Sequence, residues 1–133
     1  MQASLESQSR VWLIEADPEL ALILRTLFED EGFAVSGCAT LAEVAAELAA
    51  GKTGVLVLDV SRSTLGDCRG LHQELLPVMS HTVPILLLRN HKGWLPAGAD
   101  LRLVQVLADN CLDIEQIILN VRHLLPLSTR SVA

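Results

Sequence analysis

Short runs of uncharged apolar residues recur along the chain, and the clearest of them, residues 54–58, leads directly into the carboxylate of Asp59. A run of this length after a glycine is typical of a β-strand that is buried on both faces. Further strands are predicted at residues 11–14, 33–38, 83–88 and 103–108. Ligands gather where the carboxyl ends of parallel strands emerge, so Asp59 is a candidate site residue. By itself it fits the cap of the next turn equally well.

Apolar residues at helical spacing separate these strands. Asp17, which proline follows, predicts the N-cap of a first helix, and Gly32 predicts its end. The predicted inner face of this helix consists of Leu20, Ile23, Leu24, Leu27 and Phe28. Thr40 and Glu43 match a capping box, which predicts a second helix over residues 41–50.

The second half of the chain predicts two more helices. The first runs from about residue 67 to 76, with Pro77 ending or bending it, and the second begins after Asp113 as N-cap. Residues 91–102 contain two glycines and a proline, and we expect them to be short or irregular. Strands that alternate with helices in this way predict an α/β fold with a doubly wound, five-stranded parallel sheet.

Composition narrows the class of protein. The 133 residues suit one domain, which we place at 10–126, between a flexible N-terminal tail at 1–9 and a C-terminal tail at 127–133. The net charge of −6 argues against nucleic-acid binding. No apolar run is long enough to cross a membrane, and the N-terminus does not resemble a signal peptide. Three cysteines without a CxxC pair are typical of free thiols, so we expect a cytoplasmic protein.

Four stretches together resemble the receiver domain of two-component response regulators, the CheY-like family. They are residues 13–20, 57–60, 83–88 and 112–115, and their order and spacing match that family over about residues 10–126. The resemblance implies the flavodoxin-like sheet order 2-1-3-4-5. It also implies a role in signalling.

The resemblance assigns roles to the acidic residues. In working receivers an aspartate after the third strand accepts a phosphoryl group from a sensor kinase, and Asp59 matches this position. Acids after the first strand hold Mg²⁺, which offsets the repulsion between carboxylate and phosphate. Glu15 matches the first of these acids, but the second falls on Ala16, which has no oxygen. Asp17 matches a third acid, which usually caps the helix. We therefore expect an acidic pocket of Glu15, Asp17 and Asp59, in which Glu15 and Asp59 bind Mg²⁺ weakly at best.

The positions that contact the phosphoryl group in that family are also substituted. The switch hydroxyl falls on Arg89, and the lysine after the fifth strand falls on Asn110. Together with Ala16, these departures imply a degenerate receiver, or pseudo-receiver, that requires no cofactor. Two orientations stay open for Arg89: its guanidinium pairs with Asp59 or Glu15, or it points to solvent or to a partner.

Three functions follow for comparison. The first is a single-domain pseudo-receiver that acts by protein–protein interaction, with phosphorylation lost or optional. Its partner would be a sensor kinase or a downstream signalling protein, or a second copy of the chain in a homodimer through the fourth and fifth strands and the last helix. The second is a conventional receiver that a sensor histidine kinase phosphorylates on Asp59 in the presence of Mg²⁺. The third, a flavin- or nucleotide-binding domain, is disfavoured because acids stand where a phosphate loop is needed. No group of residues suggests an enzyme, and Trp94 is a candidate partner anchor.

Overall fold

The computed structural model describes residues 10–36, 38–60, 68–90, 94–107 and 113–132. Five strands form one parallel sheet in the order β2-β1-β3-β4-β5, which confirms the predicted topology. The strands are β1 Arg10–Ile14, β2 Ala34–Ser36, β3 Val55–Asp59, β4 Ile85–Leu88 and β5 Val104–Leu107. β3 is the central strand, and all of its residues are buried.

Among the described residues, four α-helices and a C-terminal 3-10 helix accompany the sheet. They are α1 Pro18–Asp30, α2 Leu41–Ala49, α3 Cys68–Met79, α4 Ile114–Leu124 and the 3-10 helix Leu125–Val132. The predicted N-caps are confirmed: Asp17 accepts hydrogen bonds from two backbone N–H groups of α1, and Asp113 does the same for α4. The capping box of Thr40 and Glu43 at the start of α2 is also present.

Two apolar clusters cover the two faces of the sheet. Alternate residues of a strand point to opposite faces, so Val55 and Val57 belong to one cluster and Leu56 and Leu58 to the other. The cluster around Val55 and Val57 is closed by α1 and α4, and the other is closed by α2 and α3. Burial on both faces explains why the sequence of β3 is a continuous apolar run.

Two details of the helices differ from the sequence prediction. α3 continues two residues beyond Pro77, to Met79, because Val78 is fully buried in the core and holds the last turn in place. Ile23, which was expected on the inner face of α1, is 52 % exposed. Leu24 and Phe28, which were also predicted on that face, are buried as expected.

The connection between β4 and β5 contains turns and no α-helix in the part that is described, residues 94–103. This confirms the predicted irregularity there, whereas residues 91–93 lie outside the described residues. Asn90 holds the start of the segment through two hydrogen bonds to the backbone of Trp94. Its amide nitrogen donates to the Trp94 carbonyl at 2.6 Å, and its amide oxygen accepts from the Trp94 N–H at 3.2 Å. Trp94 is half-buried against the core.

The predicted N-terminal tail, residues 1–9, lies outside the described residues. At the other end, residues 127–132 belong to the 3-10 helix, and Ser128 is buried there and donates to the Leu125 carbonyl. Within the described part of the chain, no helix combines the length and the apolar character needed to cross a membrane.

Candidate functional site at the carboxyl edge of the sheet

Asp59 and Arg89 emerge side by side from neighbouring strands. Asp59 is the last residue of β3 and lies opposite Leu88 in β4, so Arg89 follows directly at the same edge of the sheet. The side chain of Asp59 has no exposed surface, and that of Arg89 is 19 % exposed. The topology alone therefore brings these two residues together.

Arg89 and Asp59 form a two-pronged ion pair. Arg89 Nε donates to Asp59 Oδ1 at 3.3 Å, and Arg89 Nη2 donates to Asp59 Oδ2. This fork matches the geometry in which a guanidinium recognises a carboxylate. Of the two orientations that the sequence leaves open for Arg89, the structure has the one in which the guanidinium pairs with Asp59. The hydrogen bonds to Asp59 raise the pKa of Arg89.

The backbone of Arg89 is unusual. Its φ angle is 54°, in the left-handed region that side chains other than glycine rarely adopt. Left-handed backbone at an arginine is retained only where the surrounding structure stabilises it. Here the residue directly follows a buried strand, and its guanidinium bonds to Asp59.

Glu15 is the third member of the site. It follows β1, the other neighbour of β3, and its side chain is fully buried. Its Oε2 accepts from the Asp17 N–H at 3.1 Å, whereas its Oε1 lies 3.7 Å from Arg89 Nη2 and has no hydrogen-bond partner among the described residues. Burial, with the neighbouring carboxyl group of Asp59 as the second cause, raises the pKa of Glu15 to about 7.

Asp17 and Ala16 contribute no ligand atom to this site. Asp17 Oδ1 accepts from the backbone N–H groups of Glu19 and Leu20, so its carboxylate serves as the N-cap of α1, and Ala16 is exposed. The predicted three-acid pocket therefore has Glu15 and Asp59 as its inner carboxylates and Asp17 at its margin. Asn110, the other substituted position, lies outside the described residues.

No protein-family model matches the sequence, and no curated protein matches it either. Solved structures do match. A CheY-like response regulator receiver domain protein from Methanospirillum hungatei JF-1 aligns with a TM-score of 0.67 at 17 % identity, over 91 % of this chain and 97 % of that chain. The chain has the fold of a response-regulator receiver domain.

Two further receiver structures show the same similarity. A response regulator receiver protein from Sinorhizobium medicae WSM419 aligns with a TM-score of 0.66 at 20 % identity, over 88 % of this chain and 94 % of that chain. A structure described as a transiently phosphorylated switch in bacterial signal transduction gives 0.64 at 17 % identity, over 92 % and 98 %. The alignments span nearly the whole receiver fold.

The site formed by Glu15, Asp59 and Arg89 does not fit Mg²⁺. The ion requires near-octahedral oxygen ligands, and the described part of the chain contains no group of three or more acidic, histidine or cysteine side chains placed to hold a metal. A guanidinium already neutralises Asp59 and faces Glu15. A divalent cation between these two carboxylates would have to displace Arg89.

Sequence reasoning identified Glu15, Asp59 and Arg89, but it did not predict the contact of Asn90 with Trp94. The double hydrogen bond of Asn90 to Trp94 determines where the chain goes after it leaves the site edge. A buried polar residue directly after an apolar strand was the available signal, since such a group requires partners.

Proposed function

We propose that this receiver-fold chain is a pseudo-receiver, a signalling protein that acts by binding another protein and does not switch by phosphorylation. The ion pair between Arg89 and Asp59 is the observation that carries the proposal. Arg89 acts as a built-in cation at the position where a receiver needs a metal ion and a phosphoryl group.

The chemistry of phosphoryl transfer supports this assignment. A carboxylate that attacks phosphorus must present a free oxygen, together with a cation that offsets the negative charge of the incoming group. Asp59 has no exposed side-chain surface, and both of its oxygens accept from Arg89. An attack by Asp59 therefore requires that a largely buried ion pair is first broken, which costs several kcal/mol, on the order of 3–5.

The similarity to receivers supports a partner that belongs to a signalling system, either a sensor kinase or a downstream protein. We place the contact surface on β4, β5 and α4. β5 is an edge strand, so one side of its backbone is available for contacts. Leu95 and Leu101 in the connection before β5 and Leu119 on α4 are exposed apolar residues. The net charge of −6 favours a protein over a nucleic acid as the partner.

Intact-mass measurement after incubation with a small acyl phosphate and Mg²⁺ tests the loss of phosphorylation. We expect no mass gain for the protein, or for the Asp59→Asn control, under conditions that modify an ordinary receiver in full. A stoichiometric gain of one phosphoryl group that Asp59→Asn abolishes would establish the conventional receiver instead.

A second experiment addresses the missing ligand. The double variant Ala16→Asp with Arg89→Thr supplies a carboxylate and a hydroxyl at the two substituted positions. We expect this variant to bind Mg²⁺ more tightly than the natural chain, as measured by calorimetric titration. An unchanged affinity would mean that the site is not a degenerate receiver pocket.

Light scattering over a range of protein concentrations tests whether the same surface also joins two copies of this chain. We expect the molar mass to rise with concentration and Leu101→Glu to reverse the rise. Leu22→Glu, on the exposed side of α1, is the matched control and should leave the mass unchanged. A mass equal to the monomer at every concentration would leave a different protein as the partner.

A further inference from the structure

A cavity of about 190 Å³ opens at the amino-terminal edge of the sheet. It is lined by the α2–β3 turn, residues 51–54, by the α3–β4 turn, residues 81–84, by Leu48 and by Ser128 of the 3-10 helix. The Asp59 site lies at the opposite end of β3, about 16 Å away for a five-residue strand. The cavity is therefore separate from the Asp59 site.

Basic groups surround this cavity. Lys52 and His81 line it, and Arg10 Nη1 donates to the carbonyl of Thr53, another lining residue, at 3.3 Å. None of the described residues that line the cavity carries a carboxylate. In a chain with 16 acidic and 10 basic residues, the ionisable side chains that line this cavity are thus basic and not acidic.

Lys52 and His81 retain side-chain donors for a ligand. Lys52 Nζ forms an ion pair with Glu47 Oε1 at 3.8 Å, a distance longer than a hydrogen bond, so its N–H groups can still donate to a ligand. Glu47 already accepts from Trp12, Ser36 and Cys38. Within the part of the chain that the structure describes, the His81 imidazole forms no hydrogen bond.

Backbone hydrogen bonds hold both turns in place. Lys52 N donates to the Glu47 carbonyl at 3.1 Å, and His81 N donates to the Val78 carbonyl at 3.1 Å. Thr82, next to His81, has a φ of 55°, a left-handed conformation that is rare for a β-branched residue. The positions of Lys52 and His81 are therefore set before any ligand arrives.

We propose that this cavity binds a small oxyanion, either a phosphate or a carboxylate, through Lys52 and His81. Lysine is a common phosphate-binding residue, and charge-assisted hydrogen bonds to an oxyanion are stronger than neutral ones. Of the hydroxyl groups in the lining, those of Thr82 and Ser128 already donate to the carbonyls of His81 and Leu125, so Thr53 supplies the further donor. α2 and α3 end at this edge, and their negative dipole ends oppose an anion. Several of the last carbonyls of these helices accept hydrogen bonds from the N–H groups of Ala50, Gly51, Ser80 and His81, which weakens the repulsion between the helix ends and an anion.

Two-dimensional NMR titration of the full chain tests the proposal, with inorganic phosphate and succinate as probes at constant ionic strength. We expect saturable shifts at residues 51–54, 81–84 and 128, with a Kd of roughly 1–10 mM for at least one probe. The tighter of the two anions identifies the class of ligand. Linear shifts that sodium chloride reproduces would overturn the proposal, as would shifts centred on Glu15, Asp59 and Arg89.

Matched variants separate binding from a structural role of the same residues. The double variant Lys52→Gln with His81→Gln should raise the Kd by about tenfold or more. His123→Gln, an exposed histidine on α4 outside the cavity, should leave the Kd within about twofold. If the double variant binds as tightly as the natural chain, Lys52 and His81 serve only to neutralise the ends of α2 and α3, and the proposal fails.

Discussion

The guanidinium of Arg89 bridges the ends of two neighbouring strands by donating to both oxygens of Asp59, with 3.3 Å between Nε and Oδ1. Glu15, from the third strand at this edge, approaches the same guanidinium at 3.7 Å. One cation thus faces two buried carboxylates. The predictions for this site follow from that ratio of charges.

Removal of the cation should destabilise the protein and open the site to metal ions. In Arg89→Ala, Asp59 and Glu15 face each other without a positive charge, so we expect the pKa of Glu15 to rise further. Loss of one partner from a mostly buried pair should cost about 3 kcal/mol of unfolding free energy above neutral pH. Urea unfolding gives this value, and added Mg²⁺ should recover part of it.

Arg102→Ala is the control for that experiment. Arg102 pairs with Asp100, but 84 % of its side chain is exposed, and exposed pairs contribute little to stability because water and salt screen them. Equal losses for the two variants, or carboxylate titrations by NMR that do not respond to Arg89→Ala, would contradict the role of Arg89 as an internal cation.

The titration of Glu15 predicts how stability depends on pH. Burial, together with Asp59, raises the pKa of Glu15 from 4.5 to about 7, so between these values the folded protein binds more protons than the unfolded chain. The contribution of Glu15 to the unfolding free energy is therefore full below pH 4.5 and is lost as the pH rises through about 7. The loss amounts to at most roughly 3 kcal/mol.

Glu15→Gln isolates this contribution, because glutamine keeps the shape of the side chain and does not titrate. The difference in unfolding free energy between the natural chain and the variant should change with pH across that interval. A constant difference would show that Glu15 has the same pKa in the folded and the unfolded chain, which would contradict the prediction.

The features that the sequence predicted depend on local signals. A proline after Asp17 and a glutamate three residues after Thr40 define caps within a few residues, and both are present. Glu15 and Asp59 each follow a continuous apolar run, which is typical of a buried strand. Because these two strands are neighbours in the sheet, their carboxyl ends bring the two acids to the same edge. Short-range chemistry was sufficient for these elements.

Other features depend on contacts that a local pattern does not contain. The sequence left open whether Arg89 pairs with Asp59 or points to solvent, because the answer depends on its left-handed backbone. Pro77 does not end α3, since burial of Val78 outweighs the lost hydrogen bond. The partner of the Trp12 indole lies 35 residues away, at Glu47. Tertiary packing decides each of these cases.

We expect Glu47 to contribute more to the stability of the protein than any other polar residue near β2, the edge strand of the sheet. It accepts from Trp12 Nε1 at 2.9 Å, from Ser36 Oγ at 3.3 Å and from Cys38 Sγ at 3.3 Å. Glu47→Ala leaves the indole N–H of the fully buried Trp12 without an acceptor, so we expect a loss of about 1–3 kcal/mol. Urea unfolding followed by tryptophan fluorescence measures it.

Glu47→Gln should cost less than Glu47→Ala, because the amide oxygen still accepts from Trp12. Glu29→Ala, which removes an exposed pair with Arg25, should change stability by no more than about 0.5 kcal/mol. A loss for Glu47→Ala no larger than that for Glu29→Ala would mean that water replaces the carboxylate without cost.

Asn90 should hold the start of the β4–β5 connection in place. Asn90→Ala removes the acceptor of the Trp94 N–H, so this amide should exchange with deuterium roughly 10- to 100-fold faster, in line with the loss of about 1–3 kcal/mol for an unmade buried bond. Asn90→Asp retains the acceptor and loses the donor to the Trp94 carbonyl, so it should protect the amide partly. Unchanged exchange in both variants would refute the role of Asn90.

The left-handed backbone at residue 89 predicts that glycine is tolerated there better than alanine. Both Arg89→Gly and Arg89→Ala remove the guanidinium, but at a φ of 54° only glycine avoids the steric strain of a Cβ. This strain is about 1–2 kcal/mol per residue. The added freedom of glycine in the unfolded chain offsets part of it, so Arg89→Gly should be more stable than Arg89→Ala by about 1 kcal/mol.

Arg122, an exposed residue within α4, provides the opposite case, because glycine in a helix is less stable than alanine by about 1 kcal/mol. The order of the two variants, measured by urea unfolding, should therefore reverse between positions 89 and 122. The same order at both positions would mean that residue 89 gives up its left-handed conformation once the bonds to Asp59 are gone, and that the ion pair alone maintains it.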